Sequence, residues 1–224
     1  MVLMKRKDFE FTLLELLIVI AIIALLASLL LPSLAKAKKR SDAIACAGNL
    51  RQLYAAELMY INDYNGCAME RLYGPSNQWA WYDTWASPFR TGGYIPLPRD
   101  GSSGGYVAGT VLDCRSVNDN PEANRAFEGS TDNHTHWTNY GYNYGVCRIK
   151  KIDKIKSPAK RVLFADATHY YMEYWDYNTK LYPAHEGAPN EVFVDGHVGW
   201  NKRFTYGCSL NEFRSWLEVT GVFD

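Results

Sequence analysis

Residues 11–40 read FTLLELLIVIAIIALLASLLLPSLAKAKKR, and this stretch decides the fold. From residue 16 to residue 35 it contains no charged side chain, and most positions are Leu, Ile, Val or Ala. A run of about 18 or more apolar residues is long enough to cross a membrane as a helix. The segment is therefore predicted to be a membrane-spanning helix.

The composition of the whole chain excludes several classes of protein. At 224 residues and 25.5 kDa, it fits one globular domain with a short appendage. Its 24 basic residues balance its 24 acidic ones, so no basic field attracts nucleic acid. The sequence lacks a Gly-x-Ser-x-Gly elbow, a Walker loop, a dinucleotide-binding Gly pattern and a paired-Cys metal signature. We therefore expect neither an enzyme nor catalytic residues.

Two ordinary interpretations of the apolar run fit poorly. Lys5, Arg6 and Lys7 precede it, as in an export signal, but a signal peptide has only about 7 to 15 apolar residues. A plain anchor is the second interpretation, but the positive charges of residues 36–40 would then keep the rest of the chain in the cytoplasm. Neither explains Glu15, an acid at the start of the run that needs a partner in apolar surroundings.

Residues 11–17, FTLLELL, resemble the signature that opens type IV pilins and type II secretion pseudopilins. In that family a dedicated peptidase cuts immediately before the Phe, whose new amino group is methylated. The resemblance implies that Phe11 becomes the mature N-terminus and that Glu15 meets the N-terminal amine of a neighbouring filament subunit. Glu10 departs from the family, which usually has Gly there, and a bulky acid hinders the approach of the peptidase.

The helical pattern continues beyond the apolar run. Pro32 lies inside it, where pilin-like subunits also have a Pro and where a kink or local melting is expected. Asn65-Gly66 predicts the end of the helix. Between them, apolar residues recur at spacings of mostly three and four, which predicts an amphipathic helix with Arg51, Gln52 and Glu57 off the apolar stripe. The stripe consists of Ala43, Ile44, Ala47, Leu50, Tyr54, Leu58 and Ile61.

From residue 67 onward, short aromatic or β-branched runs alternate with Gly, Pro, Asn and Asp, which predicts strands and loops. Strands are expected at residues 161–165, 191–194 and 197–200, and a short helix at residues 210–219. Asp195-Gly196 predicts a tight hairpin turn in which both residues have positive φ.

The resemblance and these patterns together imply an α+β, pilin-like fold. Residues 1–10 are the leader, and residues 11–66 form a long kinked helix, of which residues 11–35 are the transmembrane segment or filament core. Residues 67–224 form a head, in which a small antiparallel β-sheet with long loops packs on the amphipathic half of the helix.

His185, nine further residues and Asp195-Gly196 resemble the H-X9-DG element of a prepilin-processing-associated family that also has the N-terminal motif. Residues 46–65, 140–143, 155–158 and 164–166 resemble the middle of that family. The simplest interpretation is structural, with Asp195-Gly196 making a turn and His185 bonding that turn or capping a strand. The alternative is a metal or ligand site, although its spacing matches no known signature. That site would use Asp166, His169, His185, Asp195 and His197.

Other metal ligands give weaker signals, so no cofactor is predicted. Calcium is chemically reasonable for pilin-like heads, but no regular calcium-binding loop is present and a solvated loop is favoured. The acidic residues concerned are Asp119, Glu122, Glu128 and Asp132. His134 and His136 alternate along the chain, but without a third ligand they are best interpreted as exposed polar strand residues.

Aromatic and cysteine residues leave two further alternatives open. Trp79, Trp81 and Trp85 fit either a filled core, which is favoured, or a stacking platform for sugars. Five cysteines leave at least one unpaired. Cys114–Cys147 is the preferred disulfide, and Cys46 is expected to be a free thiol facing a helix interface. Cys46 and Cys67 are too far apart to bond if the chain between them is helical.

The two motifs imply a structural subunit of a type IV pilus-like or type II secretion pseudopilus filament. The precursor would lie in the inner membrane with a periplasmic head, and would then join a periplasmic or cell-surface filament. The implied partners are other filament subunits, prepilin peptidase, the inner-membrane assembly machinery and membrane lipid. The alternative is an uncleaved, membrane-anchored binding module that captures polysaccharide or another exported substrate.

Overall fold

The computed structural model describes residues 12–69, 88–89, 92–96, 110–118, 138–143, 145–146, 151–167, 171–172 and 184–200. Across these ranges the chain forms a long helix, a one-turn helix at Arg115–Asn118, two 3₁₀ turns at Ile152–Lys154 and Pro158–Lys160, and one sheet. The long helix, α1, is Leu13–Asp63. The strands are β1 (Tyr140–Asn143), β2 (Val162–Asp166), β3 (Tyr171–Met172), β4 (Asn190–Phe193) and β5 (Val198–Trp200).

The chain divides into two compact units, with the boundary between Arg40 and Ser41 inside α1. In the first unit, the large apolar side chains from Leu13 to Leu34 are between 46% and 88% exposed. By length and composition, α1 contains a segment that could cross a membrane. The predicted apolar N-terminal helix is confirmed.

The helix passes through Pro32 without interruption, so the local melting expected there is not observed. A proline removes one backbone donor, and a long helix keeps the remaining turns on both sides of it. The predicted end at Asn65-Gly66 is confirmed. Both residues have positive φ, 54° and 79°, and Gly66 N donates to Ile61 O at 2.7 Å, which satisfies a carbonyl of the last turn.

The sheet lies in the second unit and has the order β3-β1-β2-β4-β5. β1, β2, β4 and β5 pair in antiparallel fashion, whereas the two-residue β3 pairs parallel to β1. β2, β4 and β5 each fall within one residue of the strands predicted from the sequence. The small antiparallel sheet is thus confirmed, with one short parallel strand added at its edge.

The helix and the sheet share one hydrophobic core. Leu50, Leu53 and Tyr60 on α1 belong to the same buried cluster as Tyr142 and Phe164 on the strands. The Tyr142 and Phe164 rings are 4.9 Å apart between centroids. Burying each such side chain contributes about 1.5–3 kcal/mol, so this face of α1 is a main source of stability for the second unit.

The buried face of α1 differs from the predicted stripe. Leu50 and Ile61 are buried as expected, but Ile44 is 71% exposed and Leu58 is 45% exposed. Glu57, predicted to lie off the stripe, is 0% exposed. The sequence is apolar on several faces of this helix, so its periodicity also fits a second stripe, and that stripe packs on the sheet. Its members are Cys46, Leu50, Leu53, Ala56, Glu57, Tyr60 and Ile61.

Candidate functional site

Four side chains from distant parts of the sequence meet in the core of the second unit. The sulfur atoms of Cys46 and Cys114 are 2.9 Å apart. Nε2 of His185 lies 3.5 Å from Sγ of Cys114 and 3.3 Å from Oδ2 of Asp166. All four side chains are buried. These four residues form what we call the thiol–histidine cluster.

Local structure fixes each member of this cluster. Cys46 lies on the buried face of α1, and Asp166 is the last residue of β2. The backbone N–H of Cys114 donates to Oδ1 of Asn139 at 2.8 Å. The backbone N–H of Asn190 donates to Oδ2 of Asp166 at 2.7 Å, at the start of β4. The cluster therefore joins α1, a loop, β2 and the segment that enters β4.

The cluster changes the ionisation of its members. Burial by itself lowers the pKa of the His185 imidazole, but the hydrogen bond and charge of Asp166, with a contribution from Cys46, raise that pKa to about 10. The hydrogen bond with Cys114 lowers the pKa of the Cys46 thiol to about 6 against the effect of burial, and His185 assists. Contact with Cys46, together with burial, raises the pKa of Cys114. The arrangement thus favours a thiolate on Cys46 beside a protonated imidazole.

A tight turn holds the backbone of His185. Its N–H donates to Ala188 O at 3.0 Å, and its carbonyl accepts from Ala188 N at 3.1 Å. The two residues between them, Glu186 and Gly187, have φ of 52° and 85°. A two-residue turn of this kind needs positive φ at both positions. The indole Nε1 of Trp200 also donates to the His185 carbonyl at 3.0 Å, which ties the end of β5 to the turn.

The predicted hairpin between β4 and β5 is confirmed, but the turn differs from the prediction. Gly196 has a φ of 90°, whereas Asp195 is not in the positive-φ region. Gly196 N donates to Phe193 O at 2.8 Å. Val194 belongs to the loop as well, because its N–H bonds to Arg161 O at 2.9 Å. The Phe193 N–H also donates to His197 O at 3.0 Å, so this pair closes a three-residue loop, 194–196, that ends in a left-handed glycine.

The H-X9-DG element fastens β4 to α1 at both ends. At the turn, a Cβ atom on Gly196 would lie 2.5 Å from Cε1 of Tyr54, and the Tyr54 hydroxyl donates to Val194 O at 3.2 Å. At the start of β4, Nδ2 of Asn190 donates to the carbonyl of Ala43 at 3.1 Å. We call these two sets of contacts the β4 clamp. Its geometry supports the structural interpretation for Asp195-Gly196. His185, however, was expected to bond that turn or cap a strand, and its side chain instead contacts Asp166 and Cys114.

The alternative metal set does not form one centre among the described residues. Asp166 and His185 are in contact, but Asp195 pairs instead with His197, whose Nδ1 lies 2.6 Å from Asp195 Oδ1 on the exposed turn. His185 precedes β4 and Asp195 follows it, so the strand separates the two pairs. His169 lies outside the described residues.

A different trio has the atoms that a metal ion would need. The ligand atoms of Cys46, Cys114 and His185 all lie within 4.8 Å of one another. Sequence spacing gave no sign of this trio, because its members are far apart along the chain. The same geometry also suits sulfur chemistry between the two cysteines, which the structure shows as free thiols.

At the N-terminal end of α1, Glu15 has a partner within its own chain. The Glu15 Oε2 atom accepts from the Thr12 N–H at 3.0 Å and from the Thr12 hydroxyl at 2.8 Å. The Glu15 N–H in turn donates to the Thr12 hydroxyl at 3.2 Å. This is a capping box, for which Thr-x-x-Glu is the sequence signal. These hydrogen bonds orient the carboxylate within its own chain, but Thr12 carries no charge to pair with it.

Glu57 is a buried acid that the sequence pattern did not indicate. Its Oε1 accepts from the Met69 N–H at 3.1 Å and from the Tyr142 hydroxyl at 2.9 Å. Burial raises the pKa of the Glu57 carboxyl to about 7, although both hydrogen bonds oppose the shift. The carboxyl links α1, the residues just after it and β1.

Several predicted site residues lie outside the described residues, and their roles stay predictions. This applies to the cleavage position, the sugar platform, the cysteine expected opposite Cys114, the calcium loop, the His pair and the terminal helix. The residues are Glu10, Phe11, Trp79, Trp81, Trp85, Cys147, Asp119, Glu122, Glu128, Asp132, His134, His136 and residues 210–219. Cys46, expected at a helix interface, lies instead in the core beside Cys114.

Comparison of the chain with protein-family models, with curated proteins and with solved structures found no match.

Proposed function

We propose that this chain is a membrane-inserted subunit of a type IV pilus-like or type II secretion pseudopilus filament. The observation that carries the proposal is the exposed apolar part of α1. The large apolar side chains from Leu13 to Leu34 are at least 46% exposed, so none of them is buried within the chain. Lipid covers such a surface in a precursor, and equivalent helices of other copies cover it in a filament.

The position of Glu15 supports packing between copies. The capping box holds its carboxylate in the first turn of α1, a few residues after the predicted mature N-terminus at Phe11. A free amine at Phe11 would be the natural partner for this carboxylate in a neighbouring copy. An ion pair in apolar surroundings is costly to break, so it would fix the stagger between subunits.

The head supports the same proposal through its firm attachment to α1. Hydrogen bonds join the head to α1 at Ala43, Asn49, Tyr54 and Glu57. A subunit that polymerises through its helix needs its head fixed to that helix, and these contacts supply the attachment.

Mass spectrometry of the protein from its native membrane tests the proposal. A filament subunit is expected to begin at a methylated Phe11. An intact Met1 would contradict the filament proposal and favour the anchored binding module.

Variants at Glu15 and Thr12 separate the role of Glu15 in the capping box from its proposed role in pairing with a neighbouring subunit. We expect Glu15→Gln to abolish filaments seen by electron microscopy while leaving membrane insertion intact, because it removes the charge. Thr12→Ala removes the capping hydroxyl at a cost of about 1 kcal/mol but keeps the carboxylate, so it should still assemble. Normal filament assembly by Glu15→Gln would show that assembly does not depend on the charge of Glu15.

A further inference from the structure

The two sulfur atoms of the thiol–histidine cluster are unusually close. Their separation is 2.9 Å, and both side chains are buried, Cys46 at 3% and Cys114 at 0% exposure. Non-bonded carbon atoms already rest about 3.5–4.0 Å apart, and a disulfide bond is about 2.05 Å long. We propose that Cys46 and Cys114 form a disulfide bond in the native protein, which fastens α1 covalently to the head.

The geometry favours this bond over a metal ion. A tetrahedral zinc ion with Zn–S bonds of about 2.3 Å would hold its two sulfurs about 3.8 Å apart, so the close-packed core would have to open, whereas a disulfide of about 2.05 Å draws the sulfurs together by a similar distance. The imidazole that faces the sulfurs is also committed elsewhere, because Nε2 lies 3.3 Å from the buried Asp166 carboxylate. Among the described residues, no hydrogen-bond partner reaches the other ring nitrogen, Nδ1, whereas a metal-binding histidine normally has one there.

The bond forms by two thiol–disulfide exchanges. The Cys46 thiolate attacks a sulfur of an external disulfide, such as that of a dithiol oxidoreductase or oxidised glutathione, and expels one thiolate. Cys114 then loses its proton, attacks the Cys46 sulfur and expels the second thiolate. Two electrons pass to the external disulfide, and the protons from Cys46 and Cys114 end on its two thiols. Because both sulfurs are buried in the folded protein, the exchange precedes final packing.

This bond has a structural consequence. Cys46 and Cys114 are 68 positions apart, and cross-links that close long loops restrict the unfolded chain most. Burial then protects the bond, so a reductant reaches it only after the head unfolds. The inference rests on the proposed function for one point, that the head lies in an oxidising compartment, where disulfides persist.

Peptide mapping of the full-length protein tests the inference in two arms. In one arm, protein from native membranes is denatured in the presence of iodoacetamide and digested with trypsin without reduction. In the other, the purified chain in detergent is refolded with glutathione redox buffer and a chelator. Both arms should yield residues 41–51 joined to residues 100–115, lighter by two hydrogen atoms than the two thiol peptides together.

Three results would overturn the inference. These are alkylated Cys46 and Cys114 in the refolded or the native protein, a Cys114–Cys147 cross-link in place of this one, or one equivalent of zinc whose removal frees both thiols. The two proposals fail separately. If the native protein begins at methylated Phe11 but has free thiols, the disulfide proposal is wrong and the filament proposal stands. If the protein has the disulfide but begins at Met1, the filament proposal is wrong and the disulfide proposal stands.

Serine variants provide the matched controls. Cys46→Ser and Cys114→Ser should each lower the thermal midpoint by about 10 °C and leave the remaining thiol alkylatable after denaturation. Cys67→Ser should retain the cross-link and the midpoint of the parent protein, because Cys67 is not part of the cluster. Wild-type protein in dithiothreitol should keep the bond until denaturant is added.

Discussion

Gly196 meets two separate requirements at one position. Its φ of 90° disfavours any residue with a Cβ atom, and the ring of Tyr54 occupies the space where that atom would lie. Gly187 offers a natural comparison, since its φ is 85° but a Cβ atom added there would have no atom within 4 Å apart from those of Gly187 and its two chain neighbours. The Gly of the H-X9-DG element is therefore explained by contact with α1 as well as by turn geometry.

We predict that Gly196→Ala destabilises the head more than Gly187→Ala does. Gly187→Ala pays only for the left-handed backbone, about 1–2 kcal/mol, whereas Gly196→Ala also forces Tyr54 to move, which adds about 1–3 kcal/mol. Denaturant unfolding of the full-length variants in detergent measures the difference. Equal losses would mean that the Tyr54 contact is unimportant.

The ionisation of Glu57 affects stability on the acid side of neutral pH. Its pKa is raised from 4.5 to about 7 in the folded protein, so the folded state holds its proton more tightly than the unfolded state. The stabilising effect of that proton is complete below pH 4.5 and is lost as the pH rises through about 7.

We therefore expect the free energy of unfolding to fall by about 3 kcal/mol between pH 4.5 and pH 7. Above about pH 7, the ionisation of Glu57 should cause no further decrease. Glu57→Gln should remove this part of the pH dependence. Denaturant unfolding of both proteins across the range isolates the Glu57 contribution, since all other groups are common. Parallel stability curves would contradict the assignment.

The sequence contains a local signal for the partner of Glu15. Thr12 stands three positions before Glu15 and directly ahead of an apolar helical run, which is the sequence form of a capping box. The burial of Glu57 had no such signal, because the Tyr142 hydroxyl that accommodates it lies 85 positions away.

At the scale of secondary structure, local signals predicted element type well and the buried face poorly. The helix, its end at Asn65-Gly66 and the β4–β5 hairpin follow from apolar length, turn chemistry and alternation, all of which are local. Which side of α1 packs on the sheet depends on the shape of the sheet, so two overlapping apolar stripes could not be separated by periodicity. Val194 was predicted to end the strand before the turn, but it lies in the loop between β4 and β5 because its N–H bonds to the Arg161 carbonyl.

The buried face of α1 differs from the stripe predicted from the sequence, and this difference predicts contrasting effects of two similar substitutions. Leu53 is fully buried and Leu58 is 45% exposed, although the sequence pattern favoured Leu58 as the core residue. Leu53→Ala should cost about 2–5 kcal/mol of stability, and Leu58→Ala less than about 1 kcal/mol. Thermal or denaturant unfolding of the two variants distinguishes the stripes, and a larger loss for Leu58→Ala would support the original one.

At the scale of the whole molecule, the thiol–histidine cluster was beyond sequence reasoning. Cys46, Cys114, Asp166 and His185 come from one helix, a loop, a strand and a turn, and only the complete fold places them together. The apolar segment, by contrast, can be predicted without the tertiary structure, because its length and composition alone indicate that it could cross a membrane.

That segment gives a prediction for the intact protein. We expect the full-length chain to stay in membranes during an alkaline carbonate wash, and Ile22→Asp with Leu26→Asp to release it, since each acid costs about 2.5–3.5 kcal/mol at a span centre. The matched control is Ile44→Asp with Leu58→Asp, two exposed positions in the second unit that should leave membrane attachment unchanged. Release of the control would contradict the placement of the span.

The attachment of the head along α1 also determines how the second unit responds to tension. Its contacts recur from Ala43 through Asn49 and Tyr54 to Glu57, so they follow the helix axis for several turns. A pull parallel to that axis strains all of them at once, in shear, whereas a sideways pull opens them one after another. The second unit should therefore resist stretching along the helix far better than peeling away from it.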